Sequence, residues 1–141
     1  MTTDQRKAHI IETGASTFAV TIDVSGHTII GDEPVEAGGK DVGPAPYDLL
    51  LASLGECTAM TVRWYAHSNH LPLDKVEIHV THHKEDSSTG KVDVFTKEVI
   101  LHGNDLTEEQ RAKLVNIASK CPIHRTLDST PRITTSWGTY P

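Results

Sequence analysis

The chain has 141 residues, 37% hydrophobic and 23% charged, with a formal net charge of −6. That length fits one ordinary domain spanning the whole chain, and the acidic balance argues against a nucleic-acid partner. The opening "MTTDQRKAHI" is polar rather than a signal peptide, no run approaches the roughly 18 apolar residues of a membrane span, and two cysteines are too few for a disulfide framework, so the expected setting is the cytoplasm, where thiols stay reduced.

His9 to Glu12 predicts a short strand. "TFAVTIDV" and "HTII" alternate and are rich in β-branched residues, which predicts two more strands joined by a turn at Ser25-Gly26. "EAGGKDVGPAP" reads as a loop. A long helix follows in "YDLLLASLGECTAMTVRWYA". Pro46 suits the first helical position, and Asp48 lies in the first turn, where the helix dipole favours an acid. At 100° per residue, Leu50, Leu54, Cys57 and Thr61 fall on one stripe. Glu56 and Arg63 share a different face, and Asn69 and Pro72 are stop signals.

"LDKVEIHVTHHKED" and "KVDVFTKEVILHG" predict a hairpin across "SSTG". "LTEEQRAKLVNIASK" is amphipathic, with Thr107 and Gln110 in capping-box spacing and Leu114, Ile117 and Ala118 on its apolar face. "CPIHRTLDS" predicts a short helix with Cys121 at its cap and Pro122 in its first position. "PRITTSWGTY" reads as a final strand. There is no internal repeat and no low-complexity segment.

The two cysteines differ in setting. Cys57 lies mid-helix on a stripe with leucines, and periodicity alone reads it as packing, since free cysteine often behaves as a small buried hydrophobe. Cys121 sits where a helix N-terminus lowers a thiol pKa, and the thiolate is the reactive form. His124 and Arg125 add positive charge nearby, and His124 could tune Cys121 or act as an acid. For Cys57 a cation must be brought in by the fold. Lys40, Arg125, Arg132 and His27 are donors among which spacing does not choose.

Taken together, "GPAPYDLLLASLGECTAMTV" and "CPIHRTL" resemble the OsmC/Ohr family of thiol-dependent hydroperoxide reductases, over about Phe18 to Trp137. The resemblance implies an α+β, OsmC-like fold: an intertwined homodimer with central helices packed against β-sheets and active sites at the dimer interface. It also implies a chemistry. Cys57 attacks the O–O bond of a small organic peroxide and becomes a sulfenic acid, Cys121 condenses with it to a disulfide, and a dithiol reductant, lipoyl-type or a small thiol, restores both. No metal and no bound organic cofactor is implied. Where family members carry a glutamate after a proline, this chain has Tyr47, with Asp48 one place on. Where they use an early arginine, "FAVTIDVSGHTIIGDEP" has none, and Lys40 and His27 are the nearest substitutes. Without a guanidinium near Cys57, Cys121 is expected to have the lower pKa, which would allow the two roles to be exchanged.

Tyr47, Leu50, Leu54 and Trp64 could favour organic hydroperoxides over hydrogen peroxide. Trp64 and Tyr65 are expected to pack in the core or a dimer interface. His79, His83 and His102 could in principle ligate zinc, but no zinc-site spacing accompanies them, and an exposed polar sheet face is the expected reading. A different class of function also fits the family pattern: a dimer with little turnover that binds a small apolar or thiol ligand or senses redox state.

Overall fold

In a computed structural model the described residues are 5–139. The chain divides into two compact units, Met1–Leu50 and Leu51–Pro141.

The first unit is built on a three-stranded antiparallel sheet in the order β1 (Ala8–Glu12), β2 (Val20–Val24) and β3 (His27–Gly31). Ser25 and Gly26 turn β2 into β3 with φ of 53° and 81°. Two successive left-handed residues match the right-handed twist of the flanking strands. β2 begins at Val20 rather than at Thr17. The Ser16 hydroxyl accepts from the N–H groups of Phe18 (3.1 Å) and Ala19 (2.9 Å), a local turn that competes with strand pairing.

Beyond β3 the loop is organised by one buried carboxylate, Asp32, 4% exposed. It accepts from the Ser16 hydroxyl (2.7 Å) and from the N–H groups of Glu33 (2.8 Å), Lys40 (3.0 Å) and Val42 (3.4 Å). Burial alone would raise its pKa, but these donors hold it below the usual aspartate value. The loop closes so tightly on β3 that a Cβ at Gly43 would collide with the Ile30 carbonyl.

Helix α1 (Pro46–Ser68) starts as expected. Asp48 accepts from the Ala45 N–H at 2.9 Å, capping the first turn. Its buried stripe differs from the predicted one. Leu54, Thr58, Val62 and Ala66 are buried, so Thr58 occupies the centre and Cys57 lies at the half-buried edge. At the other end, the Leu71 N–H binds the Ala66 carbonyl (2.8 Å) and the His70 N–H that of His67 (3.3 Å). This is a Schellman closure with His70 left-handed at φ 54°. Arg63 donates to the carbonyls of Leu73 (2.8 Å) and Asp74 (3.2 Å), clamping the chain that leaves the helix.

The second unit contains the hairpin of β4 (Lys75–Ser87) and β5 (Gly90–His102), turned by Ser88 and Thr89 and in register from Ser87–Gly90 to Lys75–His102. On β4 the half-buried positions are Val76, Ile78, Val80 and His82, while Glu77, His79, Thr81 and His83 are exposed. Gly55 permits α1 to approach β4, since a Cβ there would lie 3.2 Å from Val80 Cγ2. Helix α2 (Glu108–Ala118) carries the complete capping box: Thr107 Oγ1 accepts from the Gln110 N–H and Gln110 Oε1 from the Thr107 N–H, both at 3.0 Å. Val62, Ala66, Leu73, Leu106, Leu114 and Ala118 form the core. Helix α3 (Pro122–Leu127) follows with Cys121 as its cap.

The expected final strand does not form among residues 131–139; Tyr140 lies outside the described residues. The alternation is present, but none of the described strands pairs with this segment, and Ile133 and Trp137 are 85% and 88% exposed. A strand is a paired object, and alternation alone does not supply a partner.

Candidate functional site

The capping of α3 brings the two cysteines together. Cys121, fully buried, accepts from the His124 N–H at 3.3 Å. Cys57, half-buried on α1, accepts from the Ile123 N–H at 3.5 Å. One short turn of helix therefore offers one N–H to each sulfur, and the two thiols lie close enough to perturb each other's ionisation.

Their ionisation is unequal. For Cys57, burial pushes the pKa up, the Ile123 N–H only partly offsets this, and the neighbouring Cys121 raises it further; the net shift is upward. For Cys121, burial also acts upward, but the Thr58 hydroxyl, the His124 N–H, the Cys57 thiol and the Lys97 ammonium together outweigh it, and the net shift is downward. The upward shift on Cys57 and the downward shift on Cys121 make Cys121 the more acidic of the two thiols.

Thr58 and Lys97 complete the site. Thr58 Oγ1 lies 2.7 Å from the Leu54 carbonyl and 3.5 Å from Cys121 Sγ. Lys97 on β5 donates to Thr58 Oγ1 (3.1 Å) and to the Ala118 carbonyl at the end of α2 (2.7 Å). Burial holds the Lys97 pKa below the usual lysine value, although the charges of Cys121 and Cys57 pull it back up. Sequence reasoning overlooked both residues. One signal was legible: Lys97 shares strand parity with half-buried Phe95, Val99 and Leu101, and a charge on the inward face of a strand asks for a partner.

Of the other candidates, His124 contributes its N–H to Cys121, and its Nδ1 is buried without a hydrogen-bond partner. Arg125 is exposed in the last turn of α3. Lys40, Tyr47 and Asp48 belong to the first unit: the Lys40 N–H binds Asp32, Asp48 caps α1, and Tyr47 is 48% exposed. Leu54 is buried in the protein and is not available to contact a substrate. Tyr65 packs against the core, but Trp64 is 66% exposed. An open groove between α1 and β4 is lined by Leu51, Ala52, Gly55, Glu56, Ala59, Ile78 and Val80, and Cys57 is not among its lining residues.

The hairpin histidines pair with acids. His79 and His102 flank Glu77 at 3.1 and 3.0 Å, and His82 contacts Asp93 at 2.8 Å. Among the described residues, no three His, Cys, Asp or Glu side chains gather as a metal ligand set, and no helix is long and apolar enough to cross a membrane.

A family model described as OsmC, OsmC-like protein, matches residues 38–136. No curated protein matches the chain significantly in sequence. Among solved structures, an OsmC-like protein from Mycoplasma pneumoniae is similar with a TM-score of 0.72 at 19% identity, covering 89% of this chain and 88% of that one. An organic hydroperoxide resistance protein OsmC from Legionella pneumophila gives 0.67 at 18% identity, covering 90% and 91%. The organic hydroperoxide resistance protein OhrB of Bacillus subtilis gives 0.59 at 23% identity, covering 87% and 90%. At such identities the structural likeness establishes the fold: OsmC-like, with helices and antiparallel sheets.

Proposed function

Because this chain belongs to the OsmC-like protein family, we propose that it reduces organic hydroperoxides by a two-cysteine mechanism, with Cys57 attacking and Cys121 resolving. The observation that carries this reading is the contact between two thiols of unequal acidity, the buried one the more acidic.

The cycle begins when the Cys121 thiolate accepts the Cys57 proton. Cys57 Sγ then attacks the distal peroxide oxygen, the O–O bond breaks, and the leaving alkoxide takes the proton back from Cys121 to become an alcohol. Cys57 is now a sulfenic acid and Cys121 a thiolate again. Attack of Cys121 Sγ on Cys57 Sγ forms the disulfide and expels hydroxide, which is protonated to water. An external dithiol, lipoyl-type or small, reduces the disulfide and leaves as its own disulfide.

The reading treats the chain as one OsmC-like domain acting as an intertwined homodimer. The exposed Met60 and Trp64 on α1, and Ile133 and Trp137 near the C-terminus, support such an assembly. A thiol pair that must be returned to its reduced form suits the cytoplasm.

One observation favours a second reading. The accessible thiol, Cys57, is the one whose pKa is raised, which suits a slow redox sensor or a small-ligand binder with little turnover. Consumption of cumene hydroperoxide with a dithiol separates the two. Loss of turnover in Cys57→Ser supports the enzyme; equal, negligible rates in both proteins would sink it. Dimedone trapping fixes the roles: a sulfenic acid on Cys57 in the Cys121→Ser protein is expected, and one on Cys121 in the Cys57→Ser protein would reverse them.

A further inference from the structure

We propose that Lys97 is a positioning residue for this thiol pair: acting through Thr58, it fixes which of the two sulfurs carries the negative charge. The inference rests on the two-cysteine reading of the same site.

Thr58 Oγ1 has one proton to give and two lone pairs to fill. Three partners surround it: the Lys97 ammonium at 3.1 Å, the Leu54 carbonyl at 2.7 Å and Cys121 Sγ at 3.5 Å. Lys97 can only donate, so it permanently fills one lone pair. When Cys121 is protonated, its S–H fills the second lone pair and the hydroxyl proton turns to Leu54. When Cys121 is a thiolate, the hydroxyl proton turns to the sulfur. The hydroxyl is thus a rotor with two positions for its proton, and the ammonium beside it favours the one in which Cys121 is anionic.

Lys97 is held for that task. The Ala118 carbonyl, 2.7 Å away at the C-terminal end of α2, accepts its second hydrogen bond and lies where a helix dipole favours a cation. Hairpin register sets Lys97 opposite Val80, the residue against which Gly55 of α1 packs, so the strand delivers the ammonium to the turn of α1 that carries Cys57 and Thr58. The ionisable groups that bear most on Cys121 are Cys57 from α1 and Lys97 from β5. Its own helix α3 adds the His124 N–H, with the imidazole Nδ1 buried and unpartnered and Arg125 exposed one residue on. From α2 the site receives the Ala118 carbonyl. Lys97 thus brings a positive charge to the thiol pair from β5.

The alternative is a purely structural lysine that ties α1 to α2. The two readings separate in a titration. In the full-length Cys57→Ser protein the remaining thiol is Cys121, and its ultraviolet thiolate absorbance can be followed against pH. Adding Lys97→Met should raise the midpoint by about one pH unit, leaving roughly tenfold less thiolate at any pH below it. Lys97→Arg should restore most of that loss. Thr58→Val should raise the midpoint and Thr58→Ser should not. A folded Lys97→Met protein with an unmoved midpoint overturns the proposal, as does a Lys97→Arg protein that shifts as far as Lys97→Met. If Lys97→Met does not fold, the Thr58 pair decides, and an unmoved midpoint in Thr58→Val overturns the proposal. The titration uses no peroxide, so failure of peroxide turnover in the unmodified protein leaves its result standing.

Discussion

Leu114→Ala tests whether α2 is seated as described. Leu114 is fully buried among Val62, Ala66, Leu73, Leu106 and Ala118. The substitution removes three carbons, worth about 2.4 kcal/mol of transfer free energy at ~0.8 kcal/mol each. Incomplete collapse of the space left behind brings the total to about 3–4 kcal/mol. Urea unfolding at fixed protein concentration reads this directly, provided the denaturant slope is unchanged. In a thermal melt the same loss corresponds to roughly 10 °C. Val115 supplies the control: it follows Leu114 in the chain but is 50% exposed, so Val115→Ala should cost under about 0.5 kcal/mol. A Leu114→Ala cost below about 1 kcal/mol, or a Val115→Ala cost exceeding it, would refute the placement of the helix. The seat of Ala118, whose carbonyl receives Lys97, would then be wrong as well.

Thr107→Ala removes one half of the capping box of α2 and should cost about 1 kcal/mol in urea unfolding; no change would mean that the box seen here is incidental. Asp32 gives a pH prediction. Its folded pKa is lowered, so its contribution to stability is complete above the unfolded value of about 3.9 and is lost as pH falls through the folded value below it. Unmodified protein should therefore exceed Asp32→Asn in thermal stability near about pH 6, with the difference shrinking as pH falls below about 4. A difference that widens on acidification would contradict the assignment of Ser16, Glu33, Lys40 and Val42 as donors to the charged form.

What the sequence made legible was mostly local. Pro46, Asp48 and the Thr107–Gln110 pair announce helix starts because caps bind within one turn of themselves. Cys121 at the start of "CPIHRTL" is legible for the same reason. The buried stripe of α1 was read one position off at its centre. Periodicity gives a broad face, and Thr58 reads as polar until its hydroxyl partners are known. Lys97 acts on Thr58 across 39 residues of chain, so only pairing and packing reveal which sulfur it serves. The terminal segment failed in the opposite way: "PRITTSWGTY" has the local pattern of a strand but no partner strand among the described residues.

Thr58 has a consequence for anyone who would stabilise this protein. It stands in the buried stripe between Leu54 and Val62, and by shape alone a valine there improves an apolar row. A selection for heat resistance, or a design ranked on packing, would be drawn to that exchange. The cost would appear elsewhere, as an ammonium left with one acceptor fewer and a buried sulfur that keeps its proton. Robustness and reactivity compete at a single methyl-for-hydroxyl exchange, so variants gaining stability at this position should be screened for thiol ionisation before they are kept.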